Sequence, residues 1–559
     1  MAFAPLLLTA FLWGSIEIDA VRLLVDGLHS YDLERMVVEA RPGAEGLEVQ
    51  CDLTLRATRA AAPSFFLSTF VQDLEVTRNG KVVVARLGTG GLEEFLRKLE
   101  PKSGIAPTLL TLLPDPLPAA GERMTFRLRY RWKPPGGMHF YADAKGVQTH
   151  NFGFWLPAMA DELFDASIRV LPPDGMTAVA SGYPEADVEG ALTFRTKEPV
   201  QVLSLVVGSF KVHESRAGGR TLRVLLPPDA QLDPARVSAD WAALLKILEG
   251  WFGPAPGDPL TLLFEPRDLP SPTYNDGAFI CINRRYLQWA GAEGGKDLRA
   301  RKVWLRLLAH ECAHYWWGHR VPSPVLGRGG NWIREGLAEW SGVRAAEELL
   351  RRQGTPAPRS LFRRNLRWYL TDIDLRRAAR NSHIVLANEV SLRDATYLDP
   401  GRVAYARGAL VHRQLESLLG ADAFVQALRA LAKDRAHAFT TTEDYVTALD
   451  PDGKLGVAEW VDYYVNRTRL PDLELGDVRV RAGGATAAVL CRDPDWPGGA
   501  VPFVVVTEEG RFDGKVVVVD GKGTLEWKGR GEPLRIELDP ERLTLDPVRK
   551  NNVWEKAGD

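Results

Sequence analysis

Two histidines four residues apart with a glutamate beside the first, His310-Glu311-Cys312-Ala313-His314, are the residues of this chain whose types and spacing spell a reaction. They lie in Val303–Trp317, a stretch without glycine or proline that predicts a helix. On a helix, residues i and i+4 stack on one face, so both imidazoles can reach one cation. Glu311 is turned by about 100° from His310, which sets it beside the cation's open position as a general base. With ten histidines in the chain, such a pattern arises by chance only about 0.02 times. A third ligand needs a second helix, and Gly329-Gly330-Asn331-Trp-Ile-Arg-Glu335-Gly-Leu-Ala-Glu339 supplies one. Asn331 is the expected N-cap, Glu335 the expected third ligand, and Glu339, one turn on, the expected acceptor for the second N–H of a ligating imidazole. Two neutral nitrogens and one carboxylate with a fourth position left for water predict zinc, one ion per chain.

These segments resemble the gluzincin aminopeptidases of the aminopeptidase N type, which include leukotriene hydrolase-like relatives. HECAHYWWG is similar to that family's HELAHQWFG, and WIREGLAEW to its WLNEGFA. The family usually places 18 residues between the second histidine and the glutamate. Here 20 residues intervene, Tyr315 to Arg334, and the insertion is read near Arg328-Gly329-Gly330, in the connecting loop, where length is tolerated. Ala404-Tyr405-Ala-Arg-Gly resembles the family's Tyr-Glu-Lys-Gly segment, which implies that Tyr405 hydrogen-bonds the oxyanion of the transition state. His437-Ala-Phe-Thr-Thr-Thr-Glu-Asp444 is family-like as well. The resemblance covers about residues 30–470 and implies hydrolysis of peptide bonds, with a peptide or protein as substrate.

One landmark departs from the family. Its Gly-Ala-Met-Glu-Asn strand anchors the substrate's free amino group through the glutamate. Registering Gly277-Ala-Phe-Ile on the family's Gly-Leu-Ile-Thr puts Ser271-Pro-Thr-Tyr-Asn275 on that motif, with Tyr274 in the glutamate's place and Asn275 retained. A phenol cannot pair with an ammonium as a carboxylate does. Tyr274, Asn275, Asp276 and Gly277 are the expected substrate-binding stretch, with Asp276 as a replacement anchor and the edge strand around Tyr274–Ile282 pairing with extended substrate. The primary expectation is removal of N-terminal residues. The alternatives are an endopeptidase or a peptidase that needs no free amino terminus, and a zinc-binding scaffold without catalysis.

The elements that position these residues are legible in outline. Met124–Trp132 and Leu47–Leu55 alternate apolar and polar residues with period two, as half-buried strands do. Shorter runs at Ala166–Val170 and Val200–Val207 follow, so residues 21–215 read as an antiparallel β sandwich or saddle. Ala235–Trp251 has helical spacing, while Leu260–Phe264 and Gly277–Asn283 are short apolar strands. Helical patterns dominate from Leu298 to about Asn466, so residues 216–470 read as mainly α with a little β, which the family resemblance implies is a thermolysin-like catalytic domain. Residues 471–559 return to β as a small C-terminal domain, with Asp520-Gly521 as a hairpin turn between Val516–Val519 and Thr524–Trp527. The fold class is multidomain α+β.

Composition excludes other classes. The 559 residues are 45% hydrophobic and 25% charged, and 70 basic against 72 acidic side chains leave a formal charge of −2. No basic excess exists to neutralise a phosphate backbone, so no nucleic-acid partner is expected. No apolar run reaches the roughly 18 residues of an integral membrane span. Met1 to Trp13 has the length and apolarity of a signal-peptide core, and Ile18-Asp19-Ala20 could end as a cleavage site. No Lys or Arg precedes that run, and residues 1–20 are read as a signal peptide or a first strand, with export slightly favoured. The four cysteines, Cys51, Cys281, Cys312 and Cys491, have neither disulfide-framework nor zinc-finger spacing. Cys312 falls about 200° round the helix from His310 and is not expected to bind metal. Trp316 and Trp317 are expected in the core, His319 in a loop, and Arg363–Arg367 and Arg376–Arg380 on solvated helix faces.

Overall fold

Alternation in Arg123–Trp132 buries Met124, Phe126, Leu128, Tyr130 and Trp132 on one face. Gly46–Ala57 lies beside it in matching register, Cys51 opposite Leu128 and Leu53 opposite Phe126, so the two apolar stripes merge. The other face is wet and carries ion pairs across strands, such as Arg127 Nε to Asp52 Oδ1 at 2.7 Å. These strands belong to an eight-stranded sheet in the order Tyr183–Pro184, Leu192–Arg195, Asp165–Val170, Tyr31–Gly43, Gly46–Ala57, Arg123–Trp132, Val71–Arg78, Lys81–Val82. Its neighbours are antiparallel apart from Tyr31–Gly43 with Asp165–Val170, a parallel pairing that the long intervening crossover permits. Leu53, Phe126 and Ile168 of this sheet share one buried cluster with Phe65 and Leu110 of a three-stranded sheet and Val147 and Val207 of a four-stranded one.

This computed structural model describes residues 30–88, 107–135, 140–150, 153–158, 162–185, 190–269, 273–290, 297–324, 330–355, 361–362, 402–467, 470–481 and 483–557. The apolar run at 1–20, the insertion point at Arg328-Gly329, Ser271-Pro272 and the arginine stretches at 363–367 and 376–380 fall outside the described residues. No described helix is long and apolar enough to cross a membrane.

A five-stranded sheet follows, ordered Lys211–Ala217, Arg220–Leu226, Leu260–Phe264, Phe279–Ile282, Tyr274–Asn275. Its central pairings are parallel, and Leu260–Phe264 and Phe279–Ile282 are buried along their whole length, as parallel strands covered on both faces must be. Helix α1, Pro234–Phe252, makes the crossover. It starts on Asp233, whose Oδ1 accepts from Ala235 N, with proline at its first position. The later helices include α2, Leu298–Ala313; α3, Asn331–Arg352; α4, Gly408–Leu419; α5, Ala421–Asp434; and α6, Thr442–Leu449.

The chain divides into two compact units. One comprises residues 1–330, 341–357 and 432–440, with the sheets above, α1 and α2; the other comprises 331–340, 358–431 and 441–559. In the second unit, Gly499–Thr507 centres a four-stranded sheet and Gly484–Cys491 a three-stranded one. The Asp520-Gly521 turn is present, both residues at positive φ and Val519 bridged to Lys522. Its flanking strands do not form the expected hairpin ladder: Gly510–Val518 pairs with Gly499–Thr507, and Lys522–Lys528 with Gly484–Cys491. Each flank finds its partner in a different layer, so the turn is a corner between two sheets.

Candidate active site

Helix α2 is tied down at its start. Asp297 Oδ1 accepts from Ala300 N at 2.9 Å, and Arg301 forms a buried ion pair with Asp240 of α1, which also accepts from Trp304 Nε1 at 3.0 Å. Three turns on stand His310 and Glu311. The helix stops at Ala313 rather than continuing to Trp317. The chain tightens into i−3 bonds, Tyr315 N to Cys312 O and Trp316 N to Ala313 O, and this curl brings the Trp317 carbonyl within 2.8 Å of His314 Nδ1. A ring nitrogen facing a carbonyl carries the proton, which leaves Nε2 of the neutral ring with its lone pair. That Nε2 lies 3.2 Å from His310 Nε2, the two rings at 88°.

Glu335 completes the set: the ligand atoms of His310, His314 and Glu335 all lie within 4.8 Å of one another. The three residues are 7%, 6% and 3% exposed. Two imidazole lone pairs and a buried carboxylate, together in a dry place, fit a divalent cation of borderline softness. The expected N-cap of α3 differs: Gly330 caps it without a side-chain bond, and Asn331 is its first helical residue. Two turns after Glu335, on nearly the same helix face, Gly342 lies against α2. A Cβ there would stand 2.8–3.0 Å from the N, Cα and Cβ of His310, closer than any side chain allows. Glu339, 2% exposed, lies on α3 between them.

Tyr405 is half-buried in a π-helical turn, Arg402–Arg407, which runs into α4. Arg407 is fully buried and donates from Nη2 to the carbonyls of Tyr464 and Arg467, both at 2.8 Å. Within the second unit, Gly408 packs on Gly336, where an added Cβ would meet the other backbone at 3.1 Å. His412 stacks on Trp332, centroids 4.9 Å apart, and its Nδ1 lies 2.7 Å from Tyr445 Oη. Burial pulls His412 down to about 3, so it is neutral. The turn of α3 that carries Glu335 and the segment that carries Tyr405 thus share one glycine crossing and one buried histidine.

Asn275 fastens the edge strand to α2. Its Nδ2 donates to the Glu311 carbonyl at 2.6 Å, its Oδ1 accepts from Gly277 N at 2.6 Å, and its own carbonyl accepts from His319 Nε2 at 2.9 Å. One carbonyl of the strand expected to pair with substrate is therefore already occupied. Tyr274 packs with Val179, Val206, Leu225, Leu263, Phe279 and Cys281, its ring 4.7 Å from His150. Burial, with Cys281 and Asp276 nearby, pushes its phenol well above the usual range. Asp276 is 2% exposed; burial raises it to about 7, against the pull of the Ser181 and Ser204 hydroxyls.

The remaining sequence expectations can be placed. Trp316 and Trp317 are buried against Phe252 of α1, Cys312 is buried, and all four cysteines are free thiols. Sequence reasoning missed the Trp317 carbonyl, His412 and Gly342. Of these only Gly342, a lone glycine inside a long helix, carries a signal of close approach.

Residues 284–464 match the Peptidase family M1 domain. Aminopeptidase M1 of Arabidopsis thaliana is 29% identical over 191 residues, 32% of this chain, and the match spans only 20% of that protein's length. Among solved structures, a mutant M1 zinc metallopeptidase of Deinococcus radiodurans bound to a Tyr-Ser-Ala substrate superposes with a TM-score of 0.57 at 20% identity, covering 80% of this chain and 96% of that one. Aminopeptidase A of Legionella pneumophila, in complex with aspartic acid, gives 0.68 at 14% identity over 93% of this chain and 59% of its own. The motif lies within the segment that matches the M1 peptidase domain, and the chain shares its fold with M1 zinc metallopeptidases.

Proposed function

We propose that the protein is a zinc-dependent peptidase that removes residues from the amino terminus of peptides. The observation that carries this reading is the convergence of His310, His314 and Glu335 on one buried point, with Glu311 on the adjoining helix face. One zinc ion per chain would be held by these three residues. Bound there, zinc supplies an acidified water and a polarised scissile carbonyl. Glu311 takes the proton of the attacking water and returns it to the leaving amine. Tyr405 donates to the oxyanion, a contribution of about 2.7–4 kcal/mol if it behaves as other such donors do. Glu339 takes the second N–H of a ligating imidazole, the part that the Trp317 carbonyl plays for His314. Asn275 and Gly277 act by holding the edge strand beside Glu311, and residues 216–470 form the catalytic domain between an N-terminal β domain, 21–215, and a C-terminal one, 471–559.

A second reading has its own support. Tyr274, at the position of the amine anchor, is buried in an apolar cluster, which favours a peptidase that does not require a free amino terminus.

The deciding experiment compares one peptide with its acetylated form, each with and without a zinc chelator. Chelator-sensitive cleavage of the free peptide alone supports aminopeptidase action. Cleavage of both forms moves the assignment to the second reading. Absence of cleavage by zinc-loaded protein across a peptide panel overturns both.

A further inference from the structure

Among the described residues the second unit holds two π-helical turns, Arg402–Arg407, which carries Tyr405, and Asp462–Asn466. Such turns are rare, come mostly one at a time, and are frequent at functional sites. Arg407 joins the two. Its Nη2 donates to the Tyr464 carbonyl in the second turn and to the Arg467 carbonyl just past it, both at 2.8 Å.

The arginine sits where its charge is costly. It is fully buried, and neither Nε nor Nη1 has a hydrogen-bond partner. Main-chain carbonyls, rather than a carboxylate, receive its bonds. Burying a charge with idle donors costs stability, and an apolar side chain of similar volume in such a place is often neutral or better. Fold stability therefore does not account for an arginine at this position, whereas placement of what it grips does.

What it grips is the turn of Tyr405. Residues two apart leave nearly opposite sides of a helical turn, so Arg407 reaches inward while Tyr405, half-buried, leaves on the other side. The next residue, Gly408, packs on Gly336 of α3, one residue past Glu335. A single crossing point fixes where the turn sits and leaves it free to swivel; the bonds to Tyr464 and Arg467 remove that freedom. Their anchor is itself held. Tyr464 Oη donates to the Thr544 carbonyl at 3.2 Å and accepts from Trp496 Nε1 at 2.9 Å, and its ring stacks on Trp460 with centroids 5.0 Å apart. Trp496 and Thr544 belong to the C-terminal β region.

We propose that Arg407 is a positioning residue, a clasp that sets the Tyr405 hydroxyl for the oxyanion by fixing its turn to a segment that the C-terminal β region holds. The inference rests on the oxyanion role proposed for Tyr405. The C-terminal region thereby contributes to catalysis without touching substrate. A donor aimed at developing charge is effective because it is preorganised, and a misplacement of about 1 Å can cost about 10²-fold in rate.

The test is a double-mutant cycle on the full, zinc-loaded chain. Arg407→Met, apolar and of similar length, should keep zinc content, KM and Tm near the parent values while kcat falls about tenfold or more. Arg407→Lys, which keeps a donor at the site, should recover part of that loss. Tyr405→Phe should lower kcat by about 10²–10³. Adding Arg407→Met to it should cost nothing further, because the clasp then has no donor to place. Where Arg407→Met fails to fold, Arg407→Lys takes its place in the cycle. Hydrogen exchange supplies a readout free of activity: amides of Arg402–Arg407 should exchange faster in Arg407→Met, with those of α2 unchanged. A role in the fold alone would add its loss to that of Tyr405→Phe, and additive losses overturn the proposal. So does unchanged exchange in the Tyr405 turn, or parental kcat in both Arg407 variants. Parental kcat in Tyr405→Phe also overturns it but leaves zinc-dependent cleavage standing, so this failure and that of the proposed function are distinguishable.

Discussion

The side-chain amide of Asn275 donates to the main-chain carbonyl of Glu311 at 2.6 Å, so the edge strand of the five-stranded sheet is bolted to the helix at the residue proposed as general base. Both groups are buried. Asn275→Ala removes the donor and leaves a buried acceptor unsatisfied, a cost of about 1–3 kcal/mol. If the bolt positions Glu311, kcat should fall at least tenfold while zinc content and KM stay near the parent values. An unchanged kcat with lowered Tm would reduce Asn275 to a structural role. The measurement is steady-state kinetics with metal analysis on the same preparation.

Gly342 makes a second prediction. The close approach of α3 to the backbone of His310 leaves no room for a methyl group. Gly342→Ala must push the helices apart by a fraction of an ångström, and sites that bind metal depend on placement of that order. Zinc affinity, read by competition with a chromophoric chelator, should weaken tenfold or more, with a lower Tm. An unaltered affinity would show that α3 is not what fixes His310.

The roles proposed for Glu311 and His314 separate cleanly. Glu311→Gln keeps every metal ligand and removes only the base, so the protein should retain stoichiometric zinc and lose turnover by a factor of at least a thousand. His314→Ala removes a ligand and leaves the Trp317 carbonyl without its donor, so zinc should be lost on dialysis. Activity in the first variant would refute the mechanism, and stoichiometric zinc in the second would refute the ligand set.

How much of this was legible beforehand depended on whether the signal is local. His310, Glu311 and His314 sit within one helical turn, and the periodicity of Arg123–Trp132 reports its own buried face. Asp520-Gly521 was readable as a turn for the same reason, because φ > 0 is a property of those two residues. Its strands nevertheless join different sheets, since pairing is settled by segments dozens of residues away. The early end of α2 at Ala313 coincides with a bond from His314 to a carbonyl three residues on, which no helix propensity encodes. The edge strand shows the limit best. Registering Tyr274 on the anchor position was a statement about sequence order, whereas the ring packs among Val179, Val206 and Leu263, contacts that only folding brings together.

His412 carries the last prediction, and its sign follows from its burial. It is held neutral, near 3, against an unfolded value near 6.5. Below about pH 6.5 the unfolded chain takes up a proton that the folded chain refuses, so the stability this residue contributes is whole at neutral pH. It drains away as pH falls from about 6.5 toward 3. At 1.36 kcal/mol for each pH unit, the loss over that window is on the order of 4–5 kcal/mol. The proton would land on a ring stacked on Trp332, three residues before Glu335, and on the Tyr445 hydrogen bond. His412→Phe keeps the stack and removes the titration. It should cost about 1–3 kcal/mol at pH 7.5 through the lost bonds to Tyr445 and to the Trp332 carbonyl, yet lose less Tm than the parent between pH 6.5 and 4. Parallel Tm-against-pH curves for the two proteins would show that His412 titrates normally and that its burial is not what makes the α3–α4 crossing acid-sensitive.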